Sequence, residues 1–300
     1  LAEYAWSILA TLVNLVRAYR RAPFGIVQVC NPPDVLWTAV LPFQVVFGVR
    51  MVFDQHDLCP ELYESRFGSR AALPYRALLL AERITYALSA HVISTNESYR
   101  AVAQRRGGKR PEDVTVVRTG PDPDRMRRGS PDDDLRRGLR HLLVYIGVMG
   151  PQDGVDLAIR AMHHIVAGRG RTDVGLTLIG DGDAAPELRR LTRELGLDEY
   201  VHFTGRAPDD LVTRLMSTAD VGLSPDPKNP LNDVSTMNKT MEYMAFELPV
   251  VAFDLVETRV SAQDAAVYAT PNDVAEYGDA ILALLADDVR RKEMGARGRR

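Results

Sequence analysis

Lys239 and Glu242 stand three residues apart in the stretch 234–253, VSTMNKTMEYMAFELPVVAF. Three-residue spacing puts two side chains on one helix face. Met237, Met241, Met244 and Ala245 supply the apolar stripe that predicts this helix, Pro249 ends it, and a buried strand follows at 250–253. Ser235 and Thr236 fall where a helix leaves its first backbone N–H groups unsatisfied. Such N–H groups with an ammonium suit the phosphates of a nucleoside diphosphate, and a carboxylate one turn on suits two vicinal ribose hydroxyls. The competing reading is an ordinary amphipathic helix with a solvated Lys/Glu pair, which is common and adds only ~0.2–0.5 kcal/mol. His56 and Asp57 form a second candidate group, directly after a strand at 51–54. Ligands in open parallel sheets bind beyond the carboxyl ends of strands. A histidine that only packs or caps its loop is the alternative there.

The elements that must position these groups come in two sets. A chain of 300 residues suggests two domains. The longest nearly apolar run, 35–49, is broken by Pro42 and Gln44 and falls short of the ~20 residues that span a bilayer. No secretory leader is seen, and because the first residue is Leu1 the natural start is expected to be missing. Cys30 and Cys59 are the two cysteines, with neither metal-ligand spacing nor a disulfide framework, which fits a reducing cytosol. Residues 1–141 carry 20 basic and 15 acidic side chains, the remainder 17 and 25. The basic half fits an anionic membrane surface or acceptor, although solvated basic faces are commoner. A pI near 6.1 and the lack of an aromatic-basic platform argue against nucleic-acid binding.

Along the chain, a helix over 1–21 precedes a strand at 26–30. Asn31, Pro32 and Pro33 turn the chain, Asp34 caps a helix to Phe47, and Gly48 ends it before the strand at 51–54. That β-α-β unit implies parallel pairing. Further strands at 91–94 and 114–117 bring the first domain to about four. Residues 123–140 are charged, proline-bearing and poor in large apolar side chains, which predicts a linker between domains at 1–122 and 141–300. The second half repeats strand and helix, with strands at 142–146, 174–179, 201–203 and 221–223, each followed within two residues by glycine or serine.

Eight stretches in order carry a resemblance: HDLCPELY from His56, ISTNESYR from Ile93, VVRTGPD from Val116, YIGVMGPQDGVDLAIRA from Tyr145, LIGDG from Leu178, FTGR from Phe203, ADVGLSP from Ala219 and NKTMEYMAFELPVVA from Asn238. Together they resemble the GT-B glycosyltransferases, in particular the large retaining family numbered four. The resemblance implies an α/β fold of two doubly wound, Rossmann-like domains, the first incomplete and the chain cut at both ends. It implies that Glu242 holds the ribose and Lys239 the diphosphate, with N–H donors at Ser235 and Thr236. Gly205 and Arg206 would lie near the base, and Gly147 with Gly150 would let backbone approach the donor. His56, with Asp57 beside it, would face the transferred sugar. Four departures stand out. Val148 and Asp153 replace the usual Arg and Lys, Val234 replaces a glutamate that contacts the donor sugar, Thr119 replaces an Asn, and the family's glycine-rich acceptor loop and its last, crossing-back helix are expected to be missing with the cut ends. Sugar recognition would then fall to residues such as Asn232 or Asp233.

The expected function is retaining, metal-independent transfer from a UDP-, GDP- or related nucleotide sugar, with no separate cofactor. The acceptor is expected to be a glycan or a lipid-linked molecule of polysaccharide or glycoconjugate assembly. A cytoplasmic location, with peripheral contact at the inner face of a membrane, goes with that reading. Two alternatives are a GT-B-like nucleotide-sugar-binding protein without turnover and, more remotely, a sugar-nucleotide epimerase.

Overall fold

The computed structural model describes residues 2–68, 70 and 72–300. Leu1, part of the expected first helix, lies outside them. The chain divides into two compact units, Leu1–Thr119 and Gly120–Arg300.

The first unit runs α1 (Ala2–Arg21), β1 (Ile26–Cys30), α2 (Trp37–Phe47), β2 (Arg50–Gln55), α3 (Cys59–Phe67), α4 (Leu73–Leu88), β3 (Ser89–Ser94), α5 (Glu97–Arg105) and β4 (Val114–Val116). Its strands form one parallel sheet in the order β1-β2-β3-β4. Each connection between neighbouring strands therefore carries a helix, as parallel pairing requires. Tyr19 fastens α1 to α2 by stacking on Phe47 with ring centroids 4.5 Å apart. The α2 helix starts two residues later than expected. Asp34 does not cap it, because the Asp34 carboxylate accepts from Asn31 Nδ2 at 2.8 Å within the turn. Phe53, Tyr86, Val92, Ala103 and Val114 form the core under the sheet. Arg106 clamps α3 to α4 by pairing with Glu61 and Glu82, both at 2.5 Å. Burial pushes the Glu82 acid up to about 7 while the Arg106 guanidinium opposes the shift.

The second unit continues with β5 (His141–Ile146), α6 (Val155–His163), β6 (Val174–Ile179), α7 (Ala185–Glu194), β7 (Val201–Gly205), α8 (Asp209–Thr218), β8 (Val221–Ser224), α9 (Asn238–Ala245), β9 (Val250–Phe253), α10 (Val256–Ala262), β10 (Ala266–Ala269), α11 (Val274–Leu285) and α12 (Asp288–Gly298). Six parallel strands lie in the order β10-β9-β8-β5-β6-β7. Leu143, Leu176 and Val251 pack on one face with Ile159 and Ile281, while Leu142, Val144 and Val250 pack on the other with Leu215 and Tyr243. Burial on both faces explains why these strands read as continuous apolar runs. Each fully buried leucine among them contributes about 1.5–3 kcal/mol.

Residues 123–140, expected as a linker, are fastened to this unit. Arg136 pairs with Asp220 at 2.6 Å and donates to the Thr218 carbonyl at 2.8 Å. The N–H groups of Gly129 and Asp132 donate to the hydroxyls of Ser217 and Thr218, each at 2.8 Å. The charges that marked the segment as loop thus find partners on and just after α8. Among the described residues, no helix is long and apolar enough to cross a membrane.

Strand order reverses between β5 and β8. From β5 the sheet grows through β6 and β7 in one direction and through β8, β9 and β10 in the other. The β5–β8 pairing covers only Leu143↔Val221 and Val144↔Gly222, so the strands part towards their carboxyl ends. A crevice at such a reversal is where doubly wound sheets bind ligands.

Candidate functional site

Tyr243 of α9 fills the gap where β5 and β8 part. Its hydroxyl donates to the Leu223 carbonyl at 2.9 Å and accepts from the Ile146 N–H at 3.0 Å. The ring is fully buried, and Gly222 makes room for it: a Cβ there would lie 2.4 Å from the ring. The buried face of α9 therefore carries Thr240, Tyr243 and Ala245, whereas Met237, Met241 and Met244 are only partly covered. The apolar stripe read from the methionines is displaced because a tyrosine with two backbone partners packs better at the strand gap.

Lys239 is the charged centre of the crevice, and its partner is Asp226, two residues beyond β8. The Lys239 Nζ donates to Asp226 Oδ1 at 2.5 Å, with the side chains 10% and 1% exposed. Ser224 Oγ donates to the other carboxylate oxygen at 2.6 Å, and Tyr145 presents its ring 5.3 Å from the ammonium. Burial disfavours the charged lysine, but Asp226 and Asp153 outweigh it and hold its pKa above the ordinary value. A solvated Lys239/Glu242 pair is thus not what forms. Glu242 is half-buried and has no hydrogen-bond or ion-pair partner among the described residues. Burial raises its pKa and the nearby Lys239 charge opposes the rise.

The glycine-rich turns beside Lys239 meet one another. Gly180 takes a φ of 129°, and a Cβ on it would lie 2.0 Å from the Gly147 carbonyl. Gly147 N–H donates to Ile179 O at 3.0 Å. A Cβ on Gly147 would come within 3.7 Å of Lys239 Cε. Gly150 N–H donates to the Asp153 carboxylate at 2.8 Å, so Asp153 closes the turn in which it sits. Gly205 accepts from Gly180 N–H at 3.0 Å, and Arg206 beside it is exposed.

Ser235 and Thr236 precede α9 and do not open it. Ser235 N–H donates to Asn232 O at 3.3 Å and its hydroxyl to Leu231 O at 2.8 Å, which closes a tight turn before the helix starts at Asn238. The N–H groups at the helix opening are those of Asn238 and Lys239. Asn232 is buried and donates to Gln152 O and Pro227 O, both at 2.9 Å. Asp233 accepts from Val256 N–H at 3.1 Å. These contacts give both side chains structural work.

In the first unit, His56 follows β2 and is 47% exposed, with Nε2 3.2 Å from Asp54 Oδ2. Its acidic partner is Asp54, and not Asp57 as the adjacent sequence suggested. Burial raises the pKa of Asp57 against the effect of His56. Asn31 sets this geometry by accepting the N–H groups of His56 and Asp57 at 2.8 and 3.1 Å.

Asp226 and Asp54 were not singled out from sequence, and Asn31 was read only as part of a turn. Asp226 had a signal, an acidic residue at the carboxyl end of a buried strand. Asp54 lies inside a strand opposite Cys30 and becomes visible only once that pairing is known.

Two parallel sheets, one with its crevice at a strand-order reversal, define the GT-B class of α/β protein. Solved structures share this fold. HepE from Anabaena, solved with UDP, has a TM-score of 0.75 at 18% identity over 96% of this chain and 76% of that one. Sucrose-phosphate synthase from Thermosynechococcus elongatus has a TM-score of 0.78 at 19% identity over 96% and 71%. Residues 140–287 match the family model described as glycosyl transferases group 1, and the second unit belongs to that family. Among curated relatives, 2-deoxystreptamine glucosyltransferase of Streptomyces kanamyceticus is 25% identical over 94% of this chain and 73% of its own length. Alpha-D-kanosaminyltransferase of the same organism is 28% identical over 53% of this chain. The GDP-mannose-dependent phosphatidylinositol monomannoside mannosyltransferase of Mycolicibacterium smegmatis is 30% identical over 63%. In these two the match spans 40% and 50% of the relative's length.

Proposed function

We propose that this chain is a glycosyltransferase that moves a sugar from a nucleotide-sugar donor, with retention at the anomeric carbon and without a metal ion, to a glycan or lipid-linked acceptor. The observation that carries the reading is the buried Lys239 ammonium at the β5/β8 crevice, with the unpaired Glu242 carboxylate three residues on. An ammonium has three donors, and Asp226 takes one. The others are directed to the donor diphosphate together with the N–H groups that open α9. Preorganised donors of this kind stabilise the charge that develops on a leaving diphosphate. Glu242 accepts from the ribose hydroxyls, and Gly205 and Arg206 lie towards the base. His56, with Asp57 beside it, hydrogen-bonds the transferred sugar, an assignment that rests on the resemblance of the HDLCPELY stretch.

The activities named for the relatives support sugar transfer, and they include a GDP-mannose-dependent enzyme with a lipid acceptor. Peripheral contact with the inner face of a membrane goes with such an acceptor, and polysaccharide or glycoconjugate assembly is the proposed setting. A second reading, donor binding without turnover, is favoured by one observation: Asp226 and Asp153 both act on the single lysine of the crevice. The test is a thermal-shift panel of UDP, GDP, ADP and their sugars, followed by a transfer assay. A ligand at a hundred times its Kd stabilises by roughly 2.7 kcal/mol. A shift lost in Glu242→Ala and Lys239→Ala supports the site. A shift with no transfer moves the second reading ahead, and no shift overturns both.

A further inference from the structure

The parallel register of the first unit sets Cys30, the last residue of β1, opposite Asp54 of β2. Paired residues project to the same face of a sheet, and two positions further along a strand the chain returns to that face. His56 occupies that second position. Asp54 Oδ2 lies 3.6 Å from Cys30 Sγ and 3.2 Å from His56 Nε2. All three donor atoms lie within 4.8 Å of one another. Zinc bound tetrahedrally at Zn–S ≈ 2.3 Å and Zn–N or Zn–O ≈ 2.0–2.1 Å separates its ligand atoms by about 3.3–3.6 Å. The two edges at Asp54 are close to that size before any ion is bound, and the third, between Cys30 and His56, is within 4.8 Å.

The geometry points to a Zn2+ site formed by Cys30, Asp54 and His56, with a fourth position open to solvent. Thiolate, imidazole and carboxylate together select zinc over magnesium or calcium, which take oxygen ligands. The ligands are held in place by the fold. Cys30 and Asp54 sit on hydrogen-bonded strands, and Asn31 fixes the His56 backbone at 2.8 Å. Gln28 Nε2 donates to the same Asp54 Oδ2 at 2.6 Å, an outer contact of the kind that orients ligating carboxylates. Cys30 and His56 are exposed and Asp54 is half-buried, so an ion reaches the cluster from solvent. No short sequence motif announces the site, because its ligands are brought together by strand pairing.

The binding claim stands apart from the proposed transfer, and it adds a consequence to it. Zinc bound at His56 Nε2 takes that nitrogen away from the sugar contact of the proposed transfer and leaves only Nδ1 for it, so zinc at this cluster should slow transfer.

The test uses the full chain titrated with Co2+ and then with Zn2+ against a chromophoric chelator. One equivalent of cobalt with a thiolate charge-transfer band, displaced by zinc, is the expected result. Cys30→Ser should abolish the band and weaken zinc binding by at least about tenfold. Asp54→Asn should weaken zinc binding as well, and near-UV circular dichroism verifies that both variants are folded. Cys59→Ser, a change at a buried thiol outside the cluster, should leave the band intact. A missing band, or one that survives Cys30→Ser, overturns the proposal. A chain that binds zinc but transfers no sugar even when assayed free of metal overturns the transferase reading and leaves the metal site standing.

Discussion

Lys239 Nζ donates to Asp226 Oδ1 at 2.5 Å in a crevice that covers nine-tenths of the lysine side chain and nearly all of the aspartate. Removing one member of a buried pair leaves the other charge uncompensated, at a cost of about 3–5 kcal/mol. Asp226→Asn is therefore expected to lower stability by that amount in urea titration. The double variant Asp226→Asn/Lys239→Met should recover part of the loss, and equal losses in single and double variants would argue against the pair. Lys239 has its pKa raised in the fold. Its contribution is fully present below the unfolded value of about 10.4 and is lost as pH rises through the folded value.

Tyr243→Phe keeps the ring and removes the hydroxyl that joins Leu223 O to Ile146 N–H. The buried Leu223 carbonyl and the part-buried Ile146 N–H then lose this partner, at about 1–3 kcal/mol for an unsatisfied buried group. Chemical denaturation should show a loss in that range. Slowed hydrogen exchange at Ile146 in the variant would contradict the bridge, since the N–H should become less protected.

How much of this was readable from sequence follows from the range over which each feature is encoded. The alternation of strands and helices is a local, periodic signal, and the strand at 250–253 falls where the pattern put it. The Lys239/Glu242 spacing was readable for the same reason. The start of α2 at Trp37 was not, because Asp34 is drawn into a hydrogen bond with Asn31. Strand order is set by packing between distant segments, so the reversal at β5 and β8 had no signature in any one stretch. Asp226 and Asp54 escaped for that reason: each matters through a residue 13 or 24 positions away, Lys239 and Cys30 respectively.

Gly180→Ala tests whether the glycine turns depend on their close approach. The substitution places a methyl group 2.0 Å from the Gly147 carbonyl at a φ of 129°, which only glycine adopts without strain. Strained backbone of this kind costs of order 1–3 kcal/mol, and the displaced Gly147 turn lies against Lys239. Reduced stability together with a smaller nucleotide-induced thermal shift is expected. Stability reduced with the nucleotide shift intact would separate the turns from the donor site.

If Glu242 holds the ribose as proposed, donor binding should depend on pH. Burial raises its folded pKa above the unfolded value of about 4.3. For an acid shifted this way, the folded state binds protons more tightly than the unfolded state. The Glu242 contribution to stability is therefore most favourable below the unfolded value and declines as pH rises through the window up to the folded one. Binding runs the other way, because ribose hydroxyls donate to the carboxylate and not to the neutral acid. Nucleotide-sugar affinity measured by calorimetry should fall as pH drops through the raised pKa, at most tenfold per unit. Glu242→Gln should weaken binding at pH 7 by about 1.5–3 kcal/mol, the worth of a hydrogen bond to a charged group, and should flatten the acid limb. An identical acid limb in wild type and Glu242→Gln would assign the pH dependence to another group and remove Glu242 from the ribose.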